Sequence, residues 1–99
     1  MSHLKSLQTK VLANKTAKGF DTEVETEFLL LYGEVAEAYE AWRQKKSDLG
    51  EELADVLIYL LGLAEILGFN LDEEVTAKME KNAKRTYVTK NGVLVKEGE

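Results

Sequence analysis

The sequence predicts an all-α domain: a bundle of about four helices, completed by oligomerisation and followed by a short C-terminal β-hairpin. Three observations carry this expectation. Apolar residues recur at helical spacing through most of the 99-residue chain, and no proline interrupts them. Only the tail switches to two-residue alternation, around an Asn-Gly pair.

Each element can be justified in order. The first helix is expected over residues 2–17, with Leu4, Leu7, Val11 and Leu12 on one side, and Lys18 to Asp21 break it. The second, over 23–46, opens with Thr22 and Glu25 in capping-box spacing and ends in cations that suit the helix dipole. Val24, Phe28, Leu31, Val35, Ala38 and Trp42 form its heptad-like seam, and Glu27, Leu30, Glu34, Glu37 and Ala41 form an adjoining stripe. The third helix, over 49–67, takes Asp48 as N-cap and Glu51 as N3, with Gly68 closing it. It is apolar on nearly every side, from Leu49 and Leu53 through Val56, Leu60 and Leu63 to Leu67. Such a helix must be covered all round, and a second subunit is expected to supply part of the cover. Asn70 and Glu73 open a fourth helix over 71–85, and Asn91-Gly92 is the turn of a hairpin over 86–96. All of this fits one domain, 1–99.

Composition narrows the partners. A net charge of −5 and a pI near 5.0 repel nucleic-acid backbone and anionic membrane, so neither is expected as a partner. The absence of cysteine removes disulfides, thiolate zinc sites and thiol nucleophiles. The first residues lack the apolar run of a signal peptide, and a cytoplasmic protein is expected.

Chemistry concentrates in two acidic pairs, each spaced to share one helix face: Glu34 with Glu37, and Glu52 with Asp55. Antiparallel packing of the second and third helices across their short connection brings the pairs together. Four carboxylates in partly apolar surroundings need compensation, and oxygen-only donors select Mg²⁺ or Mn²⁺ over zinc. Solvated surface and a structural network with lysine or arginine are the competing readings. Asp55 weighs against simple exposure, because it sits mid-helix among Ala54, Val56, Tyr59 and Gly62.

At these residues the chain resembles the MazG-like, all-α nucleoside triphosphate pyrophosphohydrolases. The matching stretches are LLLYGEVAEAYEA, EELADVLIYLLGLAEILG and KMEKNAKR, in the family's order, and the likeness covers Phe20 to Tyr87. The family often opens its first motif with two adjacent acids; here Gly33 takes the first position, so only Glu34 and Glu37 are carried over. The resemblance implies that Glu34, Glu37, Glu52 and Asp55 bind Mg²⁺, with Mn²⁺ as a possible substitute. It also implies hydrolysis of NTP or dNTP to the monophosphate and pyrophosphate, for nucleotide-pool clean-up. Glu37 is the choice for the general base. Lys78, Asn82 and Arg85, on one side of the fourth helix, are expected to hold the triphosphate, assisted by Lys15 and Lys18; a solvated basic stripe is the bland alternative.

Phe20, Tyr39 and Trp42 could stack a base, although Trp42 occupies a seam position and is expected in the core. Gly33 and Gly62 interrupt helices where close packing or ligand room is expected. The expected assembly is a homodimer or homotetramer. A dUTP-directed or phosphoribosyl-ATP pyrophosphohydrolase is the nearest enzymatic alternative, and a non-catalytic helical interaction module is the rival of another class.

Overall fold

The computed structural model describes residues 3–97. The elements run α1 (His3–Ala17), α2 (Val24–Arg43), α3 (Leu49–Leu67), α4 (Leu71–Ala83), β1 (Tyr87–Lys90) and β2 (Val93–Lys96). The expected start at Ser2 lies outside the described residues. α3 is the central element: α2 packs against one side of it and α1 against another, while α4 lies on α1. The hairpin pairs antiparallel, with Val88 opposite Val95 and Lys90 opposite Val93. Asn91 and Gly92, at φ 52° and 77°, make its two-residue turn, as the Asn-Gly pair requires. No described helix is long and apolar enough to cross a membrane.

The caps explain where helices begin and end. Asn70 accepts from the backbone N–H groups of Asp72 and Glu73, and Gly68 ends α3 at φ 81°. Two expectations are corrected. The N-cap of α2 is Glu23 rather than Thr22, and it makes no side-chain capping bond. α2 also stops at Arg43, short of Lys46: the Lys46 N–H donates to the Ala41 carbonyl at 2.9 Å and the Lys45 N–H to the Trp42 carbonyl at 3.1 Å. That double bond pattern is a Schellman ending, and it puts Lys45 in the left-handed region at φ 56°. α4 likewise ends at Ala83, before Arg85.

The core is small. Its buried apolar residues are Ala38 and Ala41 of α2 with Leu61, Leu63 and Ala64 of α3. The face that α2 turns inward is shifted by one stripe from the expected seam: Val24, Glu27, Leu31, Glu34, Ala38 and Ala41 are buried or half-buried, whereas Phe28, Val35 and Trp42 are exposed. Trp42, expected in the core, is 62% exposed. Small residues at 38 and 41 allow α2 and α3 to approach, and a ring at Trp42 does not fit that contact. Gly62 plays the same part toward α1, since a Cβ there would stand 3.2 Å from Val11 Cγ1 and 3.5 Å from Lys15 Nζ. Gly33 meets open space instead.

Leu53, Leu57 and Leu60 of α3 are exposed, as are Phe28, Val35 and Trp42 of α2. The radius of gyration is 16.8 Å, against about 13 Å for a compact domain of this length. This chain alone therefore leaves its central helix partly uncovered.

Candidate active site

Glu34 and Glu37 reach the site from the middle of α2, Glu52 from the first turn of α3. Each offers a carboxylate oxygen, and the three oxygens lie within 4.8 Å of one another. The short Gln44–Asp48 connection makes this possible, because it folds α3 back along α2 so that helical positions one turn or more from it face each other. Glu34 and Glu52 are half-buried, and one oxygen of each, Oε2, has no solvent contact and no hydrogen-bond partner. Glu37 is exposed.

The electrostatics follow from this crowding. Burial holds the Glu34 carboxyl above its ordinary value, and the charges of Glu37 and Asp55 push it further. Burial does the same to Glu52, with Asp48 the foremost neighbouring charge, then Glu37 and Asp55, while Lys46 opposes them. Asp55 is half-buried and stands outside the trio, yet its charge acts on both half-buried glutamates. Asp48 occupies the N-cap of α3 without capping it, and its Oδ1 is buried and unpartnered.

This donor set fits a divalent cation. Every donor is a hard oxygen, one buried oxygen each of Glu34 and Glu52 lacks a protein partner, and mutual repulsion opposes ionisation that a cation would favour. Glu34, Glu37 and Glu52 can hold such an ion, with Asp55 beside them.

One turn toward the N-terminus of α2 and the C-terminus of α3 lies a cavity of about 540 Å³. Phe20, Leu30, Ile58 and Tyr59 give it apolar walls, and Asn14 and Asp21 offer polar groups. A buried ion pair belongs to the same wall: Lys15 Nζ lies 2.7 Å from Glu27 Oε2 and 4.2 Å from the centre of the Tyr59 ring. Tyr59 links cavity and carboxylates, since burial raises its hydroxyl pKa and the charges of Glu34 and Glu27 add to the effect. On the other side of the carboxylates, Ala41, Trp42, Arg43, Lys45, Lys46 and Leu49 line a second cavity of about 380 Å³.

The remaining expected residues are placed variously. Lys15 lies in the last turn of α1 and is engaged by Glu27; Lys18 is exposed in the turn after α1. Lys78 borders a shallow depression with Glu74, Val75 and Met79, and Arg85 donates from Nη1 to Asn82 Oδ1 at 2.9 Å. Neither Lys78, Asn82 nor Arg85 lines the two cavities that flank the carboxylates. Phe20 lines the larger cavity and Trp42 the smaller, while Tyr39 stacks obliquely on Trp42 with ring centres 6.0 Å apart.

Sequence reasoning missed the Lys15–Glu27 pair, Tyr59, Asp48 and the cationic turn. Glu27 carried a signal, because it precedes Glu34 by two helical turns on the same stripe. Lys45 carried none, since it is not the glycine that a left-handed helix ending usually shows.

An all-α bundle with a carboxylate cluster on two antiparallel helices, flanked by a base-sized cavity, is the architecture of a cation-binding helical enzyme. The MazG-like family model matches residues 22–99, and this chain belongs to that family. The structure is similar to that of a cyanophage S-2L MazG-like pyrophosphohydrolase bound to dGDP and three catalytic Mn²⁺ ions per active site. That likeness has a TM-score of 0.76 at 27% identity, and covers 97% of this chain and 98% of the other. Comparison with curated protein sequences gives no match.

Proposed function

We propose that this chain hydrolyses nucleoside triphosphates, ribo or deoxy, to the monophosphate and pyrophosphate, using Mg²⁺ with Mn²⁺ as a substitute, and serves to remove unwanted nucleotides. Family membership and the structural neighbour support the reaction class, pyrophosphohydrolase, and a divalent cation. The main support within the chain is the carboxylate trio, whose half-buried members keep unpartnered oxygens beside a cavity large enough for a nucleoside.

Glu34, Glu37, Glu52 and Asp55 are the proposed cation ligands. Bound cations neutralise charge on the phosphates and lower the pKa of water. Glu37, the exposed member of the trio, takes the proton of the attacking water. Water adds its oxygen to the α-phosphorus, and the bridging oxygen between the α- and β-phosphorus departs with pyrophosphate. Tyr59 and the apolar walls around it hold the nucleoside and keep bulk water from it. Lys78, Asn82 and Arg85 remain proposed phosphate contacts on the strength of the family motif, with Lys18 assisting from the turn before the cavity residue Phe20. Lys15 acts from the cavity wall, where its charge is already committed to Glu27. The homodimer or homotetramer is also part of this reading, supported by the exposed apolar side chains of α2 and α3.

The test is pyrophosphate release from a panel of NTPs and dNTPs with Mg²⁺ or Mn²⁺. Release from at least one nucleotide, lost in Asp55→Asn and Glu52→Gln, is the expected result. No release from any of them would overturn the reading, and release from phosphoribosyl-ATP or dUTP alone would narrow it to those enzymes.

A further inference from the structure

The groove between α2 and α3 has two unlike ends. Leu30 precedes Glu34 by four residues and Tyr59 follows Asp55 by four, so the larger cavity begins about 6 Å along the helices from the carboxylates. Ala41 follows Glu37 by four and Leu49 precedes Glu52 by three, so the smaller cavity begins about 4.5–6 Å away in the opposite direction. The first is walled by Phe20, Leu30, Ile58 and Tyr59. Of the six residues that line the second, Arg43, Lys45 and Lys46 are cations.

We infer that this smaller cavity is a pyrophosphate seat, with Lys46 and Lys45 as its phosphate-binding residues. The inference rests on the reading above and deepens it by fixing the direction in which substrate lies: nucleoside toward Tyr59, reacting phosphorus at the carboxylates, leaving pyrophosphate at the connection of α2 and α3.

Three features point there. A net-acidic chain that binds a polyanion needs local cations next to its carboxylates, and this connection supplies three within four residues. Arg43 is partly engaged, its Nε lying 3.2 Å from Glu40 Oε1, which leaves the lysines as the adaptable charges. The backbone adds a further sign. Lys45 stands at φ 56°, where a residue with a Cβ is strained and glycine is the usual occupant, so the fold alone gives no reason for a lysine there. Two backbone hydrogen bonds, to Ala41 and Trp42, lock the turn and set the lysines beside the cavity.

Lys46→Gln and Lys45→Gly separate this from a folding effect. Glycine suits the left-handed position, so Lys45→Gly is expected to raise Tm while weakening pyrophosphate. Two readouts on the full chain serve: calorimetric binding of Mg²⁺-pyrophosphate, and product inhibition of hydrolysis by pyrophosphate and by NMP. Each substitution is expected to weaken pyrophosphate about tenfold or more, the effect of losing one hydrogen bond to a charged group, and to leave NMP inhibition unchanged. Unchanged pyrophosphate binding in Lys46→Gln and in the double variant would overturn the inference. So would an equal weakening of NMP, or a loss seen only in Lys78→Gln and Arg85→Gln, which would put pyrophosphate on the basic face of α4. If the wild-type protein binds pyrophosphate through Lys46 but releases none from any nucleotide, the pyrophosphohydrolase reading fails while the seat stands.

Discussion

Glu27 and Glu34 lie two turns apart on the same face of α2, and the protein treats them in opposite ways. Glu27 is 1% exposed and its charge is answered within the chain by Lys15 at 2.7 Å. Glu34 is half-buried, has an unpartnered oxygen, and is pressed by Glu37, Asp55 and Glu52. A buried charge paired by its own chain is structural: it fixes how α1 sits on α2 and α3. A partly buried charge surrounded by like charges is opposed by its own chain, and a cation from solution would relieve that opposition. The difference teaches that, on this helix, site and scaffold are told apart by the sign of the nearest neighbour rather than by burial.

The sharpest way to break the comparison is to orphan Glu27. Lys15→Met leaves a buried carboxylate unpaired and is expected to cost about 3–5 kcal/mol by denaturant unfolding, with Lys15→Met/Glu27→Leu recovering most of it. Similar losses in single and double variants would mean that packing against Gly62 and Tyr59, and not charge, sets the cost. At the other carboxylate the signs reverse. Glu34→Gln is expected to lower nucleotide hydrolysis about 10²- to 10³-fold, yet to raise the Tm of the metal-free protein, since it removes a charge that burial and its neighbours oppose.

Smaller effects sharpen the same contrast. Addition of Mg²⁺ or Mn²⁺ at about 100 times its Kd should stabilise the wild-type protein by about 2.7 kcal/mol, and Glu52→Gln should remove most of that rise. Glu34 and Glu52 titrate above the ordinary carboxylate value of 4.5, so the metal-free protein should gain stability as pH falls through their raised values, with the penalty gone below 4.5. Cation-induced stabilisation should weaken over that same range. Glu65 gives the opposite slope. Its carboxyl is lowered below 4.5 chiefly by the hydrogen bond from Lys5, so the stability it contributes is complete above 4.5 and lost as pH falls through the lowered value. Lys5→Met should flatten this acid limb in a pH series of thermal melts, and an unchanged limb would remove Glu65 from the account.

The fold was largely legible because its signals are local. Asn70, Gly68 and Asn91-Gly92 each dictate a backbone state from their own chemistry, and the ends of α3, the start of α4 and the hairpin turn fall where they indicate. The end of α2 was not legible, since Gln44, Lys45 and Lys46 are good helix formers and only tertiary context turns Lys45 left-handed. Trp42 was misplaced for a related reason. The heptad through Phe28, Val35 and Trp42 is apolar, yet the contact with α3 is won by the stripe with alanines at 38 and 41. Within the site, helical spacing in each motif together with the short connection between α2 and α3 was enough to indicate that Glu34, Glu37 and Glu52 meet. Tyr59 and the Lys15–Glu27 pair involve α1, which lies far from α3 in sequence and carries no motif that announces the contact.

The N-terminal end of α1 is tied to the far end of the bundle. Asp72 accepts the backbone N–H groups of Leu4 and Lys5, at 3.1 and 2.8 Å, and the Gln8 amide bridges the Phe69 carbonyl and the Leu71 N–H. These partners are more than sixty residues apart. On a ribosome, α2 and α3 can pair as a local hairpin and assemble the carboxylates while α1, synthesised first, has nothing to dock its leading end upon. The α1 residues that wall the cavity beside Tyr59 can meet α2 and α3 earlier, through Lys15 on Glu27 and Val11 against Gly62, so it is the leading turn of α1 alone that waits for residues 69–72 to emerge.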